Sequence, residues 1–315
     1  MPFAQGRFNK TKLRREIMEI RFDQRVAVVT GAGAGLGRSY ALELAARGAK
    51  VVVNDPGLLP DGSSRAENVA EEILRNGGHA IASCDSVADH DAADKIVAAT
   101  MDNFGRLDIL INNAGILRDK SFLKMSLDDF EDVLRVHLFG TVYLTKAAFP
   151  IMQNAKYGKI LLTTSTAGLY GNFGQTNYAA AKLGLVGFMN ALKLEGAKHN
   201  ITVNTIAPIA ATGMAGGTFP DEISDRIKPE WVAAMALFLV SEQCPASGKV
   251  LSAGGGYYSC VQMYEGNGVR FDAGLPVTVE RVAERFPEII SMNNARYFDN
   301  ATENVLHILS SLINK

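Results

Sequence analysis

The stretch Val26-Ala-Val-Val-Thr-Gly-Ala-Gly-Ala-Gly-Leu-Gly37 decides the fold of this chain. The apolar residues 25–30 predict a β-strand, and the glycines that stop it are followed by a helical pattern over residues 36–48. A second apolar run at residues 50–55 completes the order strand, glycine turn, helix, strand. In that context glycines let the backbone approach a pyrophosphate, and the helix N-terminus supplies N–H donors. The candidates for binding a dinucleotide are Gly31, Gly33, Gly35, Leu36 and Gly37, and a tight structural turn is the alternative.

The same alternation continues along the chain and predicts a Rossmann-like α/β fold. Further strands are expected at residues 80–84, 107–112, 159–164, 201–207 and 249–252, with helices between them. This pattern indicates a doubly wound parallel sheet of about seven strands, covered by helices on both faces. We expect three parts: an N-terminal extension (1–24), a sheet domain (25–255), and a C-terminal extension (256–315) that covers the substrate or contacts a partner subunit.

Asp55 stands at the end of the second predicted strand. A carboxylate there accepts both hydroxyls of an adenosine ribose and repels a 2′-phosphate, which favours NAD over NADP. Arg38, directly after the glycine turn, argues the other way because a guanidinium is able to receive a phosphate. The alternative role for Asp55 is structural, since Asn54-Asp-Pro-Gly57 is also a favourable turn sequence.

Two further strand ends carry residues that suit a dinucleotide. Asp85 and Ser86 follow the third strand, where a carboxylate binds an adenine amino group; a helix cap is the alternative. Asn113, Ala114 and Gly115 follow the fourth strand, and small residues suit a backbone that runs under a flat cofactor; a plain turn is the alternative. The carboxyl ends of parallel strands share one edge of the sheet, so we expect these residues to lie on one side.

The chemistry is expected between Ser165 and Lys182. Tyr178 and Lys182 are four residues apart in a helical pattern, so their side chains project from one face. A phenol has an ordinary pKa of about 10, and a nearby ammonium is expected to lower it and favour a phenolate base. Ser165, at the end of the fifth strand, is placed to hydrogen-bond a substrate oxygen. An ordinary helix that happens to carry a tyrosine and a lysine is the alternative.

The composition of the 315 residues is that of an ordinary globular protein, with 47% hydrophobic and 21% charged residues. A net charge of −1 gives no electrostatic case for a nucleic-acid partner. The apolar run at residues 231–240 is too short to span a membrane. The three cysteines are scattered without metal-ligand spacing, so we expect no metal site.

Taken in order, these motifs resemble those of the short-chain dehydrogenase/reductase family. The resemblance runs from about Phe22 to Gly255. It rests on Thr30-Gly-x-x-x-Gly-x-Gly37, Asp85, Asn112-Asn-Ala-Gly115, Ser165, Tyr178-x-x-x-Lys182 and Asn204-x-x-x-Pro208. The family usually has an asparagine in the helix after the fourth strand, where this chain has His137. His137 either holds a relay water behind Lys182 or is a satisfied helix histidine.

Some stretches are more specifically similar to the (3R)-hydroxyacyl-CoA dehydrogenase part of peroxisomal multifunctional enzymes of type 2. They include Val136-His-Leu138, Tyr170-Gly-Asn-Phe-Gly-Gln175 and the late Phe298-Asp-Asn-Ala301. The resemblance implies NAD-dependent oxidation of a (3R)-3-hydroxyacyl-CoA, an acyl thioester, to the 3-oxoacyl-CoA of fatty acid β-oxidation. It further implies that Tyr178 is the base, Ser165 orients the alcohol, Lys182 and Pro208 lie at the nicotinamide, and the protein is a homodimer or homotetramer.

Two other functions stay open at this point. One is an NADP(H)-dependent reductase of another ketone, such as a 3-oxoacyl thioester, a steroid or a sugar. The other is a non-catalytic dinucleotide-binding protein. We expect a cytoplasmic location in a bacterium and a peroxisomal one in a eukaryote, although the terminal Leu-Ile-Asn-Lys315 differs from a peroxisomal Ser-Lys-Leu address.

Overall fold

A single eight-stranded sheet organises the protein in the computed structural model, which describes residues 19–212, 221–272 and 274–313. The strands are β1 (Val26–Thr30), β2 (Lys50–Asn54), β3 (His79–Ser83), β4 (Ile109–Asn112), β5 (Gly158–Thr163), β6 (Ile201–Pro208), β7 (Val250–Gly254) and β8 (Tyr257–Val261). Their spatial order is β3-β2-β1-β4-β5-β6-β7-β8. The strand order reverses between β1 and β4, and ligands bind at such a switch point in open α/β sheets. The Rossmann-like fold is therefore confirmed.

Strand β8 is the part of the sheet that the sequence prediction missed. The expected sheet ended at β7, whereas β8 pairs antiparallel with it through residues that had been assigned to the C-terminal extension. Gly255 and Gly256 form the turn with φ angles of 55° and 79°, which glycine adopts without a Cβ penalty. β8 is a half-exposed edge strand, so its sequence lacks the continuous apolar run of the buried strands.

Helices cover both faces of the sheet, and the sheet separates two apolar cores. One face carries α1 (Gly35–Ala46), α2 (Arg65–Arg75) and α9 (Pro229–Val240), and the other carries α3 (His90–Phe104), α5 (Gly140–Ala155) and α7 (Thr176–Ala197). The remaining helices are α4 (Leu127–Leu134), α6 (Thr166–Tyr170), α8 (Asp221–Ser224), α10 (Val279–Ile289) and α11 (Ala301–Ile313). No helix within the described ranges has the length and apolarity needed to cross a membrane.

The helical stretch after β4 is interrupted by one π-helical turn, Arg135–Phe139, between α4 and α5. Such turns inside α-helices occur frequently at functional sites. The turn places His137 in the interior of the protein.

The distal segment, which we define as residues 262–272 and 274–313, carries α10 and α11 outside the two cores. No residue of α10 is buried, and the described side chains of α11 are likewise accessible. Residues 1–18 of the N-terminal extension and residues 213–220, between β6 and α8, lie outside the described residues. Phe22, from the end of the N-terminal extension, is buried in the core.

Candidate active site

The glycine turn after β1 is joined to the end of β4 by Thr30. The Thr30 hydroxyl accepts hydrogen bonds from the main-chain N–H groups of Asn113 and Ala114, both at 3.0 Å. Asn113 Nδ2 in turn donates to the Thr30 carbonyl at 3.0 Å. The two predicted cofactor segments are therefore brought together at the switch point, and Thr30 is the residue that sequence analysis did not single out for this role.

Glycine is required where the turn passes under the first helix. Gly31 has a φ of 62°, and a Cβ placed on it would lie 2.8 Å from Ala114 Cα. A Cβ on Gly37 would lie 2.2 Å from the Gly31 carbonyl oxygen. Gly37 lies in the first turn of α1, whose free N–H groups and positive dipole end face the same edge of the sheet. The backbone here forms a cradle that suits the pyrophosphate of a dinucleotide.

Asp55 lies against the glycine turn. Its Oδ2 accepts a hydrogen bond from the Gly33 N–H at 3.0 Å, and its Oδ1 accepts one from the Gly57 N–H at 2.8 Å. The turn role and the cofactor role that the sequence left open are thus compatible, because the bond to Gly57 forms the turn while the bond to Gly33 holds the carboxylate against the glycine motif.

Arg38, the residue that argued for NADP, is held by Glu72 of α2. Its NH2 nitrogen lies 2.7 Å and 2.6 Å from the two carboxylate oxygens of Glu72. Arg65 of α2 lies nearer to Asp55, and its Nε donates to the Leu58 carbonyl at 3.0 Å. The guanidinium groups of Arg38 and Arg65 therefore already have oxygen partners.

Asp85 is held at the end of β3 rather than at a helix terminus. The Ser83 hydroxyl donates to Asp85 Oδ2 at 3.1 Å, and Asn54 Nδ2 donates to the Asp85 carbonyl at 2.8 Å. The N-cap of α3 is Asp89, so the helix-cap alternative for Asp85 is excluded. Ser86, the next residue, is exposed, and its hydroxyl accepts from the Ala88 N–H at 3.3 Å.

Ser165 has a local structural role that the sequence did not reveal. It is the N-cap of the short helix α6, and its hydroxyl accepts from the Ala167 N–H at 3.1 Å. This contact fixes the hydroxyl at the carboxyl end of β5, near enough to the Tyr178 phenol to lower its pKa. The two predicted residues are therefore neighbours although 13 positions separate them.

Tyr178 and Lys182 lie on one face of α7, as predicted, but their pKa values follow burial. Burial raises the pKa of Tyr178, and the hydrogen bond with Ser165 opposes that rise. Burial lowers the pKa of Lys182 to about 7. The lysine Nζ donates to the Thr163 carbonyl at 2.5 Å and lies 5.5 Å from the centre of the Tyr178 ring. Desolvation is thus the largest effect on the pKa of Tyr178, and a lowering of that pKa by Lys182 stays a prediction.

His137 fills the space between the end of β4 and Tyr178. Its Nε2 lies 3.0 Å from the main-chain N and 2.8 Å from the main-chain O of Ile116. Its ring meets the Tyr178 ring edge-on, with centroids 5.0 Å apart and an interplanar angle of 86°. Nδ1 is buried without a hydrogen-bond partner among the described residues. Burial, and then the Lys182 charge, hold the pKa of His137 well below its ordinary value, so the imidazole is neutral.

Pro208 ends β6 at the same edge of the sheet, next to Ala253 of β7. Asn204 of the same motif is structural: its Nδ2 donates to the Ala246 carbonyl at 2.8 Å, and its Oδ1 accepts from the Lys249 N–H at 3.0 Å. In the described part of the chain, no group of three His, Cys, Asp or Glu side chains is arranged to hold a metal ion.

The site thus combines a pyrophosphate cradle with a hydroxyl, a phenol and a buried amine at one sheet edge. Residues 25–222 match the family model of the short chain dehydrogenases. The chain therefore belongs to the short-chain dehydrogenase/reductase family, is an oxidoreductase, and is built to bind a nicotinamide dinucleotide.

Individual relatives carry the comparison further. A short-chain type dehydrogenase/reductase of Mycobacterium tuberculosis is 48% identical over 276 residues, which cover 86% of this chain and 96% of that protein. The solved full-length peroxisomal multifunctional enzyme type 2 of Drosophila melanogaster superposes with a TM-score of 0.79 at 39% identity. That match covers 93% of this chain but only 51% of the enzyme, so the chain spans about half of that relative. A 7α-hydroxysteroid dehydrogenase solved with NADH and 7-oxo glycochenodeoxycholic acid has a TM-score of 0.68 at 32% identity, covering 75% and 95% of the two chains. The predicted resemblance to the multifunctional enzymes is confirmed.

Proposed function

We propose that the protein uses NAD to oxidise a (3R)-3-hydroxyacyl-CoA to the 3-oxoacyl-CoA, a step of fatty acid β-oxidation. The observation that carries the proposal is that Ser165, Tyr178 and Lys182 lie together. They adjoin a turn where Gly31 and Gly37 leave no room for a Cβ. The similarity to the type 2 multifunctional enzyme supplies the substrate class.

The preference for NAD rests on Asp55 and on the partners of the nearby cations. The Asp55 carboxylate is fixed by Gly33 and Gly57, so it is preorganised to accept the two ribose hydroxyls. A 2′-phosphate would meet this negative charge, and Arg38 is engaged by Glu72 rather than free to neutralise it. The NADP(H)-dependent reductase is the alternative, and Arg65 beside Asp55 is the residue that would serve it.

The bound nicotinamide supplies the hydride acceptor, and the chain supplies the acid–base chemistry. The Ser165 hydroxyl orients the substrate alcohol beside Tyr178, and the phenolate form of Tyr178 takes the hydroxyl proton as the carbonyl forms. The protonated form of Lys182 would favour that phenolate electrostatically and would bind the nicotinamide ribose, and Gly115 and Pro208 would hold the nicotinamide ring. We also propose that His137 Nδ1 binds the water that passes protons to and from Lys182, while Nε2 holds the Ile116 main chain.

Apolar side chains beside the site suit an acyl chain. Phe122, Leu123 and Phe173 are 69%, 98% and 90% exposed; the first two lie on a short 3₁₀ turn before α4, and Phe173 lies in the loop before α7. The two loops are joined by a hydrogen bond from the Lys120 N–H to the Gly174 carbonyl at 2.9 Å. A long acyl chain covering this rim would remove the apolar side chains from water.

The proposed assembly is a homodimer or homotetramer in which the distal segment contacts a partner subunit. Asp299 of this segment binds Lys193. Lys193 lies 15 residues beyond Tyr178 on α7, which is about 22 Å along the helix at a rise of 1.5 Å per residue. The segment is therefore anchored far from the Tyr178 of its own chain. Exposed apolar residues on α10 and α11, including Val279, Phe286 and Leu306, favour a contact with another subunit.

The deciding experiment compares four substrate and cofactor pairs on the purified protein. We expect turnover of a (3R)-3-hydroxyacyl-CoA with NAD, at least a hundredfold above the (3S) epimer with NAD. Turnover of a 3-oxoacyl thioester or a steroid ketone with NADPH is expected to be weaker. Activity with NADPH alone would refute the argument from Asp55, and equal turnover of both epimers would refute the assigned substrate.

A further inference from the structure

Lys193 is a buried cation that the proposed reaction does not use. It lies on α7, and its side chain is only 6% exposed. Its Nζ donates to the Asp299 carbonyl at 2.9 Å and to Asp299 Oδ1 at 2.8 Å. A Cβ on Gly248 would lie 2.3 Å from Lys193 Cδ, so the aliphatic stem is packed closely against the turn before β7. A buried ammonium needs such partners, because the cost of desolvating it is otherwise not offset.

Asp299 is itself held in place by its neighbours in the distal segment. The Tyr297 hydroxyl donates to Asp299 Oδ1 at 2.9 Å, and the Asp299 N–H donates to Glu303 Oε2 at 2.8 Å. The Glu303 N–H donates to Asn300 Oδ1 at 3.0 Å, so the Asn300 side chain caps the start of α11. Lys249 of the sheet domain lies 5.5 Å from the centre of the Tyr297 ring. The start of α11 is thereby shaped around the position of the lysine.

We propose that Lys193 is a positioning residue that fixes the distal segment on the helix that carries Tyr178 and Lys182. The described side chains of α10 and α11 lie outside both cores, so hydrophobic burial within the chain does not determine where these helices lie. The ion pair between Asp299 and Lys193 of α7 fixes the start of α11 instead. The orientation of α11 relative to the site then depends on the Lys193 side chain. The consequence for the subunit contact rests on the proposed assembly, whereas the anchor itself does not.

Proteolysis tests the anchor directly. In the full-length protein we expect Lys193→Met and Asp299→Asn to speed chymotryptic cleavage within residues 262–313 at least tenfold, while the sheet domain persists as a resistant fragment. Lys198→Met, at the exposed end of the same helix, and Asp272→Asn, in the same segment, are the matched controls and should cleave like the parent. The double variant Lys193→Met/Asp299→Asn should cleave no faster than the faster single variant, because both changes remove one interaction. Cleavage at the parental rate, or cleavage that begins in the sheet domain, would overturn the proposal.

A kinetic comparison separates positioning from simple stabilisation. We expect both variants to keep kcat for a short-chain (3R)-3-hydroxyacyl-CoA within twofold of the parent. Because the segment lies far from the Tyr178 of its own chain, its effect on substrate must act through the proposed subunit contact: their KM for a long-chain substrate should rise at least fivefold, and their dimer dissociation constant at least tenfold. Equal losses of kcat on short and long substrates would overturn the positioning role. A parent protein that is monomeric by light scattering would overturn the proposed assembly, while the proteolysis result would still decide the anchor.

Discussion

Replacement of Lys182 by methionine should abolish turnover and yet stabilise the fold. The side chain is buried, and its pKa falls from an ordinary value of 10.5 to about 7. That fall corresponds to about 5 kcal/mol of unfavourable interaction for the charged form in the folded state. Methionine has a similar length without the charge, but it leaves the Thr163 carbonyl without its partner, which costs about 1–3 kcal/mol. The expected net gain in the free energy of unfolding is about 2–4 kcal/mol.

The gain should depend on pH in a defined direction. The unfolded chain keeps the lysine proton up to pH 10.5, whereas the folded protein releases it near pH 7. Between these values the unfolded state binds more protons, so the stability of the parent rises with pH across that window. The advantage of Lys182→Met is therefore full below about pH 7 and declines towards pH 10.5.

Urea unfolding at pH 6.5 and pH 9.5, followed by circular dichroism at one protein concentration, measures this effect. We expect the full gain at pH 6.5 and a gain near zero at pH 9.5. Lys198→Met, which changes an exposed lysine at the end of the same helix, should alter stability by less than about 0.5 kcal/mol at both values. A variant that is less stable than the parent at pH 6.5, or whose gain is equal at both values, would refute the reasoning.

Substitutions at three further positions test the remaining roles. Tyr178→Phe should lower kcat by about 10²–10⁴-fold and leave the NAD dissociation constant within a few-fold, while Tyr264→Phe, an exposed control, keeps full activity. Turnover by Tyr178→Phe near the parental rate would exclude Tyr178 as the base. Asp55→Asn removes the negative charge but keeps an oxygen for the turn, so the ratio of kcat/KM with NADP to that with NAD should rise at least tenfold; an unchanged ratio would show that Asp55 does not select the cofactor. His137→Phe should lower kcat about tenfold, with His137→Asn retaining more activity because an amide is still able to hold a water; equal losses would contradict a role for Nδ1.

The sheet and the meeting of the candidate site residues at its edge were predictable because both depend on local patterns. Continuous apolar strands, glycine clusters at their ends and the spacing from Tyr178 to Lys182 are visible in short windows of sequence. Parallel strands then bring their carboxyl ends to one edge, whatever their order in the sheet. This geometry is why residues as distant as Thr30 and Asn113 meet at 3.0 Å.

The electrostatics of the site could not be predicted in the same way. A charge pair on a helix suggested a lowered pKa for Tyr178, but the degree of burial depends on α6, on the loop after β4 and on the ring of His137, which come from separate parts of the chain. The partner of Arg38 likewise lies 34 residues away on α2. Strand β8 was not predicted for a different reason: an edge strand with one exposed face needs no continuous apolar run.

Gly115 and His137 together restrict how this site is able to change in evolution or design. A Cβ at position 115 would lie 2.2 Å from Cε1 of the imidazole and 2.9 Å from its Nδ1. Any side chain at 115 therefore demands a smaller or displaced residue at 137, and the displaced ring would no longer reach the Ile116 main chain or the face of Tyr178. The two positions form an epistatic pair, so a library that varies them one at a time would reject combinations that are compatible when both change together.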